Sequence, residues 1–299
     1  AFSSFVLSVK GDIFVMNVRK KSGESYQVRY LGNGLNEVRQ IDESKFPPCG
    51  NAPIPKIAAN PVAKVAADLP QADAANLIDV MVVYTSAARQ SALPGGTPQQ
   101  QTANMQALIA LAVSESNTAY QNSQVTPRIR LVYQGEISYV ESGDFGTDLN
   151  RVTNPADGYM DVVQGLRNAY GADLVSLWAD DGALCGLGWL MSSLSPSFES
   201  NAFSVVSWNC ATGYYSFGHE MGHNMGCQHD RENAGGSGLY AYSYGWRFIT
   251  AGNVTNRTLM SYSPGTRIQY FSNPNVNYNG VATGVASGLP DQSDNAKTI

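Results

Sequence analysis

This 299-residue chain holds only three histidines, His219, His223 and His229, and all three fall in one short run with Glu220 directly after the first. Residues four apart on a helix share a face, so His219 and His223 can present both imidazoles to one point, with Glu220 beside them. Gly226 takes positive φ readily and lets the chain leave the helix sharply. That bend brings His229 round as a third donor. Three neutral imidazoles suit Zn²⁺ and leave one position for water. Such a metal lowers the pKa of its water towards about 7 and polarises a carbonyl. Glu220 would take the proton and pass it to a leaving amine. The plain alternative is three unrelated core or surface histidines. It has to explain why no histidine lies outside the pattern.

Downstream stands Thr258-Leu259-Met260-Ser261-Tyr262. The extended histidine pattern with this methionine resembles the metzincin metalloproteases, whose motif adds a methionine turn. The resemblance implies that Met260 packs beneath the zinc ligands as a structural floor and is not itself a ligand. Asp230 after the third histidine is similar to the reprolysin (adamalysin) branch and reads as a structural hydrogen-bond acceptor. Tyr262 is similar to the tyrosine of serralysins and astacins, which binds zinc or steadies the transition state; the alternative is a phenol that simply packs. The runs Ile78–Thr85 and Ala211–Tyr215 look closest to the bacterial peptidyl-Asp metalloendopeptidase family. That implies cleavage on the amino side of aspartate or cysteic acid. Arg267 follows the methionine turn, where metzincins build the pocket for the residue after the cut. It is the substrate-pocket candidate, since a guanidinium pairs with a carboxylate. Its ordinary reading is a solvent-facing loop arginine.

Phe46-Pro47-Pro48-Cys49-Gly50-Asn51 resembles the cysteine-switch motifs of metzincin propeptides. A thiolate is a good zinc ligand, and Cys49 would fill the position that water needs. The competing use of Cys49 is a disulfide to Cys227. The four cysteines, Cys49, Cys185, Cys210 and Cys227, allow three complete pairings, and spacing does not choose among them. A Cys185–Cys210 bridge with a buried, inert Cys227 is the preferred arrangement and fits an oxidising compartment.

The elements that position this site follow from periodicity. Phe5–Val9, Ile13–Val18 and Tyr26–Tyr30 read as a small antiparallel meander. From Leu77 strands alternate with helices. Leu77–Tyr84 is a buried strand, and a long helix carries Met105, Leu108, Ile109, Ala112 and Val113. A half-wet strand runs through Ile129, Leu131 and Tyr133, and a second helix ends at Gly171. Strands Leu174–Trp178 and Phe203–Trp208 follow, with Cys185–Met191 as a short edge strand whose stretch Gly186–Met191 could receive an extended peptide. After Gly226 the chain turns loop-rich, and Ser293-Asp294-Asn295 looks like the opening of a helix. That ending suggests a natural chain that continues or is trimmed.

The expected fold class is therefore α/β: a zincin-like catalytic domain with a mixed twisted sheet, a zinc-binding helix and a loop-rich C-terminal subdomain. The expected division is a β-rich propeptide over 1–50, an alanine- and proline-rich linker over 51–75 with a processing site (Lys56 and Lys64 being candidates), and a catalytic domain over 76–299. From Ala1 to Leu69 there are 9 Lys+Arg against 6 Asp+Glu, and from Pro70 onward 10 against 18. The acidic body argues against a nucleic-acid partner. No apolar run spans a bilayer. The expected partners are protein or peptide substrates and the chain's own propeptide as intramolecular inhibitor, in a secreted protein. Calcium has room at acidic loops such as Asp180-Asp181, with no ligand assigned. The alternative to a peptidase is a zinc-stabilised binding or adhesion module. The retained Glu220 argues against it, because a structural zinc normally takes four protein ligands.

Overall fold

The computed structural model describes residues 2–20, 23–51 and 76–299. The expected linker, with Lys56 and Lys64, lies outside the described residues apart from Asn51. Strands β1 (Phe2–Lys10), β2 (Ile13–Lys20), β3 (Ser25–Gly32) and β4 (Leu35–Ile41) form an antiparallel sheet in sequence order. The fourth strand was not expected, and the reason is physical. It has no buried residue, so no apolar alternation marks it.

The body begins at β5 (Leu77–Tyr84), followed by helices α1 (Ser86–Ala92) and α2 (Pro98–Asn122). A capping box between Thr97 and Gln100, with Pro98 in the first turn, fixes where α2 starts. Then come β6 (Arg128–Glu136), α3 (Phe145–Thr153), α4 (Val162–Tyr170), β7 (Leu174–Ala179), β8 (Gly186–Gly188) and β9 (Phe203–Ser207). Gly171 ends α4 in the left-handed conformation at φ 62°, as its position implied. The sheet runs β6-β5-β7-β9-β8; all its pairs are parallel except β8 with β9. The edge strand is thus where the sequence placed it, though shorter.

Helices α5 (Trp208–Ala211) and α6 (Ser216–Asn224) follow. Every residue of α6 is buried, because the helix lies under β8 and β9 and against α2. The remainder consists of short strands: β10 (Arg247–Thr250), β11 (Val254–Arg257), β12 (Thr266–Arg267), β13 (Asn277–Tyr278) and β14 (Val281–Ala282). A final turn, α7 (Asn295–Thr298), is capped by Asp294. The Cys185–Cys210 disulfide ties the start of β8 to α5. In the chain-entropy picture a loop of this length gives about 3 kcal/mol of stabilisation.

The N-terminal sheet packs on α2 and meets the body through buried polar contacts. Asn17 donates to Glu115 at 2.6 Å, Gln27 to Thr212 at 2.8 Å, and Arg39 to Asn209 at 2.9 Å. Glu115 also accepts the Gly213 N–H at 3.0 Å, and burial pushes its carboxyl up to about 8. These groups stand close to the loop that leads into α6.

Candidate active site

His219 and His223 sit one turn apart on α6. His219 Nδ1–H donates to the Leu259 carbonyl at 2.9 Å and His223 Nδ1–H to the Cys227 carbonyl at 2.8 Å. Those bonds fix the tautomer and leave both Nε2 lone pairs bare. Gly226, at φ 90°, turns the chain out of the helix. His229 then comes back so that its Nε2 lies 3.0 Å from that of His219 and 2.9 Å from that of His223. Three lone pairs facing one point repel each other unless a cation sits among them. Burial reinforces this. It drives the His219 and His229 imidazolium forms well below their ordinary range and lowers His223 to about 4. Protonation therefore does not relieve the cluster. The donor set fits zinc: neutral imidazoles, closely grouped, with a fourth direction not taken by a histidine.

Glu220 stands beside the cluster, with a carboxylate oxygen within 4.8 Å of a His219 nitrogen. Its carboxylate oxygens accept no hydrogen bond from a nitrogen or oxygen donor among the described residues, and the Cys49 thiol is the polar group beside them. Burial pushes the carboxyl up to about 8, a shift that a cation at the histidines would oppose. Room for the side chain comes from β8. A Cβ on Gly186 would lie 2.7 Å from Glu220 Cγ, and one on Gly188 3.1 Å from the Glu220 carbonyl oxygen. Gly186→Ala should therefore displace the carboxylate and lower peptide hydrolysis by about 100-fold, of the order of losing a general base. Zinc bound per chain should stay unchanged; metal analysis beside steady-state rates checks both halves.

Met260 is fully buried under the helix, and a Cβ at Gly222 would meet its sulfur at 2.6 Å. Its contacts are those of a packing residue. Asp230 is structural too: it accepts the Tyr262 N–H at 2.8 Å and pairs with Arg247 at 3.0 Å. Tyr262 lies with its ring 4.2 Å from that of His229, and its hydroxyl donates to the Cys49 carbonyl.

Cys49 reaches the same centre from the N-terminal segment. Its sulfur, a His219 nitrogen and a Glu220 oxygen all lie within 4.8 Å of one another. Backbone bonds hold it there: Cys185 N–H donates to Pro48 O at 3.0 Å, and Gly50 N–H to Gly186 O at 2.7 Å. The segment thus lies along the open edge of β8. Cys227 is free, buried and directed at the Asn295 carbonyl, so it is not the partner of Cys49.

Arg267 is not the solvent-facing loop residue of the ordinary reading. It lies on β12, is 1% exposed, donates Nη1–H to the Tyr214 carbonyl at 2.9 Å, and sits 4.3 Å over the Tyr214 ring. Its Nε is buried with no acceptor among the described residues. Asp180 accepts bonds from Ser91 and Trp208, and it belongs to no cluster able to hold a metal among the described residues. Sequence reasoning missed Gly186 and Gly188 as the cleft that admits Glu220. The glycine-flanked Gly186-Leu187-Gly188 was the available signal.

Residues 74–272 match the family described as Metallo-peptidase family M12, of reprolysin type. A peptidyl-Asp metalloendopeptidase of Stenotrophomonas maltophilia is 39% identical over 296 residues, which is 97% of this chain and 67% of that protein. The protein of the same name from Xanthomonas campestris pv. campestris is 36% identical over the same shares. A chain in a solved chaperone–substrate complex covers 75% of this chain and 34% of its own length at TM-score 0.52 and 21% identity, a likeness of fold.

Proposed function

The chain belongs to metallopeptidase family M12 and is a zinc metalloendopeptidase, and from that premise we propose that it is a secreted, latent enzyme that cuts on the amino side of aspartate once its N-terminal segment is displaced. The observation that carries this is a pair of buried triads sharing His219, one with His223 and His229 and the other with Cys49 and Glu220.

Bound zinc supplies a Lewis acid for the scissile carbonyl and a water whose pKa falls to about 7. The three imidazoles hold it, with their tautomers fixed by the Leu259 and Cys227 carbonyls. Glu220 takes the water's proton and carries it to the leaving nitrogen, the step for which its unpartnered oxygens are free. Tyr262 donates to a carbonyl, that of Cys49, in the latent form. A substrate carbonyl in its place would receive the same donor as charge develops on oxygen. An extended substrate adds to the β8 edge that Pro48 and Gly50 now hold.

Residues 1–50 act as propeptide, 51–75 as the linker that is cut, and 76–299 as the catalytic domain. The Cys49 sulfur keeps water from its position until the segment leaves. The disulfide fits an extracellular setting, and no helix among the described residues is long and apolar enough to cross a membrane. The relatives' printed name specifies Asp, and the orphaned Arg267 Nε is a donor awaiting a carboxylate. In the linker-nicked enzyme, Arg267→Ala should cut the preference for Asp over Asn after the scissile bond by about 10- to 100-fold, the weight of a charge-assisted pair. Paired peptides differing only at that residue measure it; an unchanged ratio removes Arg267 from the specificity pocket.

A further inference from the structure

Beside the methionine turn, where the proposed pocket for the residue after the cut lies, two buried arginines stand around one tyrosine. Arg257 and Arg267 are each 1% exposed, and their guanidinium carbons lie 5.6 and 4.3 Å from the Tyr214 ring centre. Arg257 spends two donors locally, Nε–H on Gly265 O and Nη1–H on Ser261 O, both at 2.8 Å. Its Nη2–H points out of that loop and meets the carboxylate of Glu43 at 2.7 Å. The same carboxylate accepts the Arg267 backbone N–H at 3.0 Å. Glu43 belongs to the N-terminal segment, six residues before Cys49. Phe46, three residues on, stacks on the Tyr214 ring at 4.7 Å between centroids.

The charge balance is uneven. Arg257 meets the Glu43 carboxylate through its guanidinium and Arg267 through its backbone N–H alone, so one carboxylate stands against two buried arginines of which it pairs with Arg257. When the N-terminal segment departs, Glu43 leaves with it. Arg257 Nη2–H and Arg267 N–H then lose the carboxylate they share, and the place it held stays lined by both donors. A fixed guanidinium donor beside a backbone N–H is a carboxylate receptor in the chemical sense.

We propose that Arg257 Nη2–H and Arg267 N–H form a second acid-binding subsite, which the Glu43 carboxylate fills in the latent chain and an acidic side chain of the substrate, beyond the residue after the cut, fills in the open one. This rests on the latency and cleft assignment above and adds a site to it. The subsite is separate from the Arg267 guanidinium, so the open cleft takes two acids in succession on its primed side.

The test uses the full, uncut chain as Glu43→Ala, with the rate of Cys49 alkylation by iodoacetamide read by peptide mass spectrometry. Losing a charge-assisted anchor should raise that rate about tenfold. Propionate should bring it back towards the parent value, and propionamide, of the same shape without charge, should not. Glu43→Gln, which keeps the backbone and bulk, should behave as Glu43→Ala does without rescue by either. An unchanged rate, or equal rescue by both additives, overturns the subsite. In the linker-nicked chain, peptides with Asp after the cut should be cleaved about tenfold faster when an acid, rather than its amide, occupies one of the next two positions. Equal rates with acid and amide there overturn the substrate half of the proposal. Loss of any Asp preference with propionate rescue intact would instead fault the earlier specificity reading.

Discussion

Replacing Glu220 by glutamine in the linker-nicked chain is expected to lower peptide hydrolysis by about 100- to 10,000-fold, the range of a lost general acid–base group. Glu220 projects under β8 into space kept open by Gly186, and among the described residues its oxygens meet no nitrogen or oxygen donor, only the Cys49 thiol that leaves with the N-terminal segment. A buried carboxylate left this way is costly for stability, so its retention points to a task at the metal. Glutamine keeps the shape and cannot take the proton. Bound zinc should be unchanged, since the three imidazoles and their carbonyl supports are untouched. Stability should hold or rise, because the amide removes a charge from a buried site. Rates, metal content and thermal unfolding measured together test this. A variant with full activity would take Glu220 out of the chemistry altogether.

The second large effect concerns latency. Cys49→Ala in the uncut chain is expected to raise chelator-sensitive cleavage at least about tenfold over the parent, by removing a soft ligand that zinc favours. Full activity is not expected, because the rest of the anchor remains. Pro48 and Gly50 still hold the β8 edge, Tyr262 still donates to the carbonyl at position 49, and Glu43 still bonds Arg257. Cys49→Ser separates charge from bulk and should fall between parent and alanine. If alanine leaves the uncut chain silent while nicking the linker activates it, the segment blocks by coverage and the sulfur is incidental.

The centre of the site was legible because its geometry is local. The spacing of His219 and His223 is a helical turn, Gly226 marks the bend, and Met260 and Cys49 sit in short motifs. Long periodic or strongly apolar elements such as β5 and α2 were readable for the same reason. Most of the misses share a cause. The exposed strand β4 and the short helix α1 left too weak an apolar pattern to be read, whereas α3 carries Phe145, Leu149 and Val152 at helical spacing, a signal that went unread. The glycines of β8 matter only because α6 passes beneath them, a fact of tertiary packing. Arg267 looked exposed by composition, yet β11 and Tyr214 bury it. The Glu43–Arg257 pair joins residues 214 positions apart, and no local pattern announces such a partner.

The most direct measurement is to incubate a denatured protein substrate with the linker-nicked chain and read the new termini by mass spectrometry, with and without a zinc chelator. The account predicts internal cuts that the chelator abolishes, with aspartate at the new N-termini. No internal cuts, from a nicked chain that still binds zinc through its three histidines, would contradict it and leave a zinc-holding module without hydrolysis.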